Sequence, residues 1–317
     1  MIERKIQKVG GSSFSVSLPK EWVKKSGLRS KSSVFFSEFP DGALMVSSGA
    51  TARTKPLESF SIKLEEHVSD FYQVLFAAYY LGAEKISIFS EKEIPDSKRS
   101  KIKETLQHMS ATEVVSEDSK KIVLNVLLDK SKVNANNLLS RIGLILHSSI
   151  KNCSEKMDLE EIQRNELEID RLFNLVSKII TVSLIDSSIM HSSGIKHNFF
   201  VVPYFLISKK LENIADEIED LALYIKKNRR KPKEIEKLLS GVQLFVKKHI
   251  VFPVTSTEPG FSLPSKEEKE KIEIEVSKLT DPEIRSTIRM IYRLLYDVQE
   301  ELVNISFYNK LLKEKVI

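Results

Sequence analysis

The sequence predicts a multidomain chain: a small β-rich unit over residues 1–48, a small α+β unit over 61–130 and an all-α region over 134–312. Three observations carry this. Residues 1–48 fall into short alternating runs broken by glycine and proline. Residues 61–130 mix β-branched runs with helical periods. From Asn134 onward, apolar residues recur at helical spacing, interrupted only by short polar or proline-bearing stretches.

In the first unit, "RKIQKV" alternates as a strand does, and Gly10–Gly11 punctuates it. In "SFSVSL", Phe14, Val16 and Leu18 point one way while Ser13, Ser15 and Ser17 point the other, the period of a half-buried strand. Pro19 suits the first position of a helix, where its missing N–H costs nothing. "PKEWVKKSG" is then a short helix with Gly27 as its stop. "SVFFSEF" and "ALMVSS" are two strands joined by the turn signal "PDG". Phe14, Val16, Leu18 and Trp22 are expected in the core. So small a unit has too little core to stand alone, so a homodimer is expected.

Residues 49–60 read as a linker. "SIKLEEHVSDFYQVLFAAYYLG" reads as one helix ending at Gly82. "KISIF" (strand), "DSKRSKIKETLQHMS" (helix) and a hairpin of "TEVVS" with "KIVLNVLLD" complete the middle unit. Six helices follow, near 134–156, 158–192, 199–228, 232–251, 265–280 and 282–312, in two groups of three.

The charge is distributed unevenly. Residues 1–31 hold Arg4, Lys5, Lys8, Lys20, Lys24, Lys25, Arg29 and Lys31 against Glu3 and Glu21, a net of +6 where the whole chain carries +5. Concentrated positive charge points to a phosphate-rich partner, and a solvated basic surface is the plain alternative. One cysteine, Cys153, excludes a disulfide framework within the chain and any cysteine-based zinc finger. No apolar stretch is long enough for a transmembrane segment, and "MIERKIQK" lacks a leader's apolar region, so a cytoplasmic protein is expected. GxxxxGK[ST], HExxH and GxSxG are all missing, and the six histidines show no ligand spacing. An enzyme is not expected.

Carboxylates recur at helical spacing. In "NELEIDRLF", Glu166 and Asp170 share a helix face; in "LENIADEIEDLA", Glu212, Asp216 and Asp220 recur every fourth residue. Like charges at this spacing repel by a few tenths of a kcal/mol per pair, about 0.2–0.5. A wet surface tolerates that. Alternatively, two such faces packed together would converge oxygen ligands on a hard cation such as magnesium, manganese or iron. In the last helix, Asp297, Glu300 and Glu301 make a weaker second candidate.

The stretch "RKIQKVGGSSFSVSLPKEWVKKSGLRSKSSVFFSEFPDGALMV" resembles the swapped-hairpin DNA-binding domain of the AbrB, MazE and SpoVT group. That resemblance implies two chains interleaving their hairpins into one β-barrel, with basic residues on one face meeting double-stranded DNA. Arg4, Lys5, Lys8, Lys20, Lys24 and Lys25 are the implied contacts, and Ser12 and Ser13 can offer hydroxyls to phosphate oxygens. "RSKSS" departs from the Gly-Asp turn usual in that group.

The helical region resembles the PhoU family of phosphate-uptake regulators through "NELEIDRLF" and "LENIADEIEDLA". The family implies a bundle of two three-helix repeats that holds metal through ExxxD motifs. Glu166 with Asp170, and Glu212 with Asp216, match those motifs; Asp220 stands where the family often has Asn. "YDVQEELVN" looks like a faded second copy. The cofactor implied is a divalent or trivalent metal: iron, zinc, manganese or magnesium. Together the two resemblances imply a DNA-binding transcriptional regulator of phosphate uptake. The alternative is an accessory protein that works on phosphate transporter components without DNA.

Overall fold

The computed structural model describes residues 3–38, 44–48, 57–67, 69–195, 197–229, 232–251 and 263–314. The chain divides into two compact units, Met1–Thr54 and Lys55–Ile317.

In the first unit, β1 (Gln7–Val9) pairs antiparallel with β2 (Ser13–Ser15), Lys8 opposite Phe14. The turn between them needs Gly10, whose φ is +66°, a region costly for a residue with a Cβ. α1 (Lys20–Lys25) follows, with Pro19 as its N-cap rather than its first helical residue. β3 (Phe35–Glu38) pairs antiparallel with β4 (Leu44–Ser47). The expected "PDG" turn between them lies outside the described residues. In "RSKSS", Lys31 takes the left-handed φ of +69°. The backbone thus keeps a glycine-like turn without a glycine.

The expected core of this unit is not buried within the chain. Phe14 is 72% exposed and Val16 47%, while Leu18 and Trp22 are half-buried. Ile6, Phe35, Phe36 and Leu44 are exposed as well. Two hairpins and a helix under two turns long enclose too little volume to cover these side chains.

The second unit begins with a four-stranded sheet. β5 (Ser59–Lys63) pairs parallel with β6 (Lys85–Phe89), and β7 (Thr112–Glu117) with β8 (Lys121–Val126) forms an antiparallel hairpin; the order is β5-β6-β8-β7. β5 corrects the sequence reading, in which "SIKL" opened a helix and residues 57–60 belonged to a linker. Parallel pairing with β6 satisfies the β5 backbone, and Ile62 enters the core. The helix starts only at α2 (Phe71–Tyr80), the crossover from β5 to β6. α3 (Asp96–Leu106) joins β6 to the hairpin. Its Arg99 donates to the Ile94, Asp118 and Ser119 carbonyls and to Glu117, pinning the helix to the β7–β8 turn.

The helices then run as α4 (Ala135–Glu155), α5 (Leu159–Ile185), α6 (Ser187–Ser192), α7 (Val201–Asn228), α8 (Glu234–Val246), α9 (Lys266–Ser277) and α10 (Pro282–Lys313). α8 continues into a π-helical turn over Lys247–Val251. Side chains cap the starts: Asn134, Asp158, Asp186, Ser265 and Asp281 each accept from a backbone N–H two or three residues on. Asp186 also breaks the continuous helix expected over 158–192. Its backbone turns extended, and its carboxylate starts α6 instead. One apolar core spans α4, α5, α7, α8 and α10, with Leu146, Val176, Leu211, Val242 and Val298 all buried.

Candidate functional site

α5 and α7 lie side by side, and each presents carboxylates at helical spacing to the other. Glu166 and Asp170 of α5 meet Asp216 of α7, and one oxygen from each lies within 4.8 Å of the other two. Among the described residues this is the one group of three with such spacing. Glu166 and Asp170 are half-buried and Asp216 is exposed, so the cluster sits at the rim of the helix pair.

Crowding and burial act on the acids together. Burial, then Asp170, Glu219 and Asp216, push the Glu166 carboxyl up to about 7. Burial and Asp170 push Asp216 up as well. Glu212, one turn before Asp216, is buried; its two oxygens accept from Lys209 Nζ at 2.7 and 2.6 Å. Burial raises its carboxyl while the Lys209 ammonium pulls against that. Lys209 also sits 4.9 Å from the Phe173 ring centroid. Asp220 is exposed on the next turn and stands outside the cluster of three.

The middle α+β region docks on the same helix. Glu166, Asp170, Asn174 and Lys178 form one i,i+4 stripe along α5. His108 Nδ1 donates to Asp170 Oδ2 at 3.0 Å, and that bond raises the imidazole pKa. Asn174 Nδ2 donates to the His108 carbonyl at 3.2 Å and accepts from the Tyr80 hydroxyl. Lys178 is 1% exposed, with Nζ 4.1 Å from the Tyr79 ring centroid and without a hydrogen-bond partner.

Sequence spacing found the acids and missed these partners. His108 lies 62 residues from Asp170 in the chain, so no local motif could link them. Lys178 did carry a signal, being one lysine inside the apolar run "LVSKIITVSL". The residues of the weaker candidate on α10 are placed differently. Asp297 accepts from Lys210 Nζ at 2.7 Å, Glu301 accepts from Asn304, and Glu300 is exposed.

In the N-terminal unit, Arg4, Lys5, Lys8, Ser12, Ser13, Lys20, Lys24 and Lys25 are all exposed. Lys8 lies on β1, Ser13 on β2, and Lys20, Lys24 and Lys25 on α1. Residues 7–54 match the family described as antidote-toxin recognition MazE, bacterial antitoxin. The N-terminal unit is therefore similar to the MazE family over these residues. No curated protein matches the chain, and no solved structure does. No described helix is long and apolar enough to cross a membrane.

Proposed function

We propose that the chain is a dimeric DNA-binding transcriptional regulator, not an enzyme, whose helical region senses a metal cation. The observation that carries this is the dual exposure of the MazE-type unit. It offers basic side chains from β1 and α1, and it leaves Phe14, Phe35 and Phe36 uncovered. A second copy interleaved into a barrel would bury the aromatic residues, and DNA phosphates would neutralise the lysines.

In the second unit the cation would lie among Glu166, Asp170 and Asp216, with Glu212 and Asp220 as neighbouring donors. Oxygen-only donors suit magnesium, manganese or iron, and zinc also accepts carboxylates. A cation there would relieve the repulsion that raises the Glu166 carboxyl. It would also compete with His108 for Asp170, so the middle region would feel its arrival. Likeness of "NELEIDRLF" and "LENIADEIEDLA" to PhoU motifs supports two three-helix repeats and phosphate uptake as the regulated process. On this reading transporter components are further partners.

Fluorescence anisotropy of a labelled duplex tests the reading. The full chain should bind, with log affinity falling by about 0.9 for each tenfold change in salt per phosphate contacted. The variant Lys20→Glu/Lys24→Glu/Lys25→Glu should lose most of that affinity and salt slope while staying dimeric. Phe14→Asp should dissociate the dimer. Absence of duplex binding by the parent chain would favour the accessory protein that acts without DNA, and binding unchanged by the triple variant would remove α1 as the contact surface.

A further inference from the structure

Between α2 and α3, facing α5, lies a cleft of about 500 Å³. That is within the usual size of a small-molecule site. Its two walls differ in chemistry. Tyr72 and Phe76, one turn apart on α2, make an aromatic wall. Lys101, Thr105 and His108 line the other at i, i+4 and i+7, one face of α3 and its C-terminal turn. Asp170 of the carboxylate cluster also lines the cleft.

Two further observations point to a ligand. The Tyr72 hydroxyl is shielded from solvent and has no hydrogen-bond partner, a cost that a small turn of the ring toward a bound polar group would remove. The Lys98 ammonium lies 5.7 Å from the centroid of the Tyr72 ring, adding positive charge beside the aromatic wall. Glu104 also lines the cleft, so its fixed charges come close to balance without a cation. A divalent cation beside Asp170 would turn that balance positive.

We propose that this cleft binds a small organic oxyanion with an aromatic body. The ring lies against Tyr72 and Phe76. The oxyanion, phosphate or carboxylate, lies between Lys101 and His108, where a cation on Asp170 strengthens its hold. Only that last contribution rests on the metal reading above. By linkage, the anion and the cation tighten each other's binding by the same factor.

Isothermal titration of the full chain tests this, with phenyl phosphate, benzoate and inorganic phosphate as probes, each with Mn²⁺ and with chelator. Two variants accompany it: Lys101→Glu, which reverses the charge at an exposed position, and Thr105→Trp, which fills the cleft from a helix face. Phenyl phosphate or benzoate should bind at least about tenfold tighter than inorganic phosphate, because the aromatic wall contributes only to the former. Whichever of the two binds tighter identifies the oxyanion. Both variants should lose on the order of tenfold while their Mn²⁺ titrations stay unchanged. The proposal is overturned if the aromatic probes bind no better than inorganic phosphate, or if both variants bind them as the parent chain does. Should Mn²⁺ itself fail to bind, the carboxylate reading falls alone. The metal-free titrations then decide the cleft: aromatic binding lost in both variants sustains it, and no binding overturns it.

Discussion

Glu166 and Lys178 sit three turns apart on one stripe of α5, and burial works against the charge of each. Glu166 holds its proton up to about pH 7 in the folded chain, whereas an unfolded chain loses it near the ordinary glutamate value. Between those values the folded state binds more protons, so stability falls as pH rises, and above about 7 the full penalty remains. Glu166→Gln should therefore raise the melting temperature of the metal-free chain at pH 7.5. Added Mn²⁺ should raise that of the parent and not of the variant; calorimetry with and without the metal checks both signs. Lys178 has the opposite titration. Burial brings its ammonium pKa down to about 7, while the unfolded chain stays protonated to about 10.4. In that window the unfolded state binds more protons, so this residue makes folding more favourable as pH rises, and below about 7 its penalty is complete. Lys178→Met removes the unpartnered amine and keeps most of the volume. It should stabilise the chain by about 1–3 kcal/mol at pH 7, less whatever the Tyr79 ring contributes. Urea midpoints at pH 7 and pH 9.5 should show this advantage shrinking.

At the scale of elements, α4 and the π-helical turn after α8 meet at Gly143. A methyl group there would lie 2.7 Å from Ile250 Cγ2, a β-branched side chain that is fully buried. Helix propensity favours alanine over glycine by about 1 kcal/mol, but overpacking a filled core costs about 1–3 kcal/mol. Gly143→Ala should thus be neutral to destabilising by up to about 2 kcal/mol, and chemical denaturation checks that it does not stabilise. The helices of this region were legible from their apolar period, and α4, α5, α9 and α10 also carry Asp, Asn or Ser caps at their starts. β5 was not, because "SIKLEEHV" has the composition of a helix start and only pairing with distant β6 makes its first half a strand. Asp186 was missed for a related reason: the apolar period of α5 runs on into α6, and one capping carboxylate interrupts it. The strands of the MazE-type unit were read correctly in order, while its expected core stands uncovered in a single chain, with Phe14 and Val16 exposed.

For the whole molecule, the candidate site was half legible. Spacing put Glu166 and Asp170 on one face of α5, and Glu212, Asp216 and Asp220 on one face of α7, since an i,i+4 pattern needs no tertiary information; that the two faces meet comes from the packing of α5 on α7. The partners His108, Asn174 and Tyr80, by contrast, depend on how the α+β region folds against α5. That same docking underlies the proposed coupling, in which a cation on Asp170 competes with His108 and alters duplex binding. The direct measurement is duplex affinity of the full chain by anisotropy at fixed ionic strength, with Mn²⁺ and with chelator, for the parent and for Asp170→Asn. Duplex affinity of the parent should change by at least about fivefold with metal, the lower range of allosteric coupling, and that of the variant should not change. Equal affinity in the parent with and without Mn²⁺, at concentrations that saturate the metal site, would contradict the coupling.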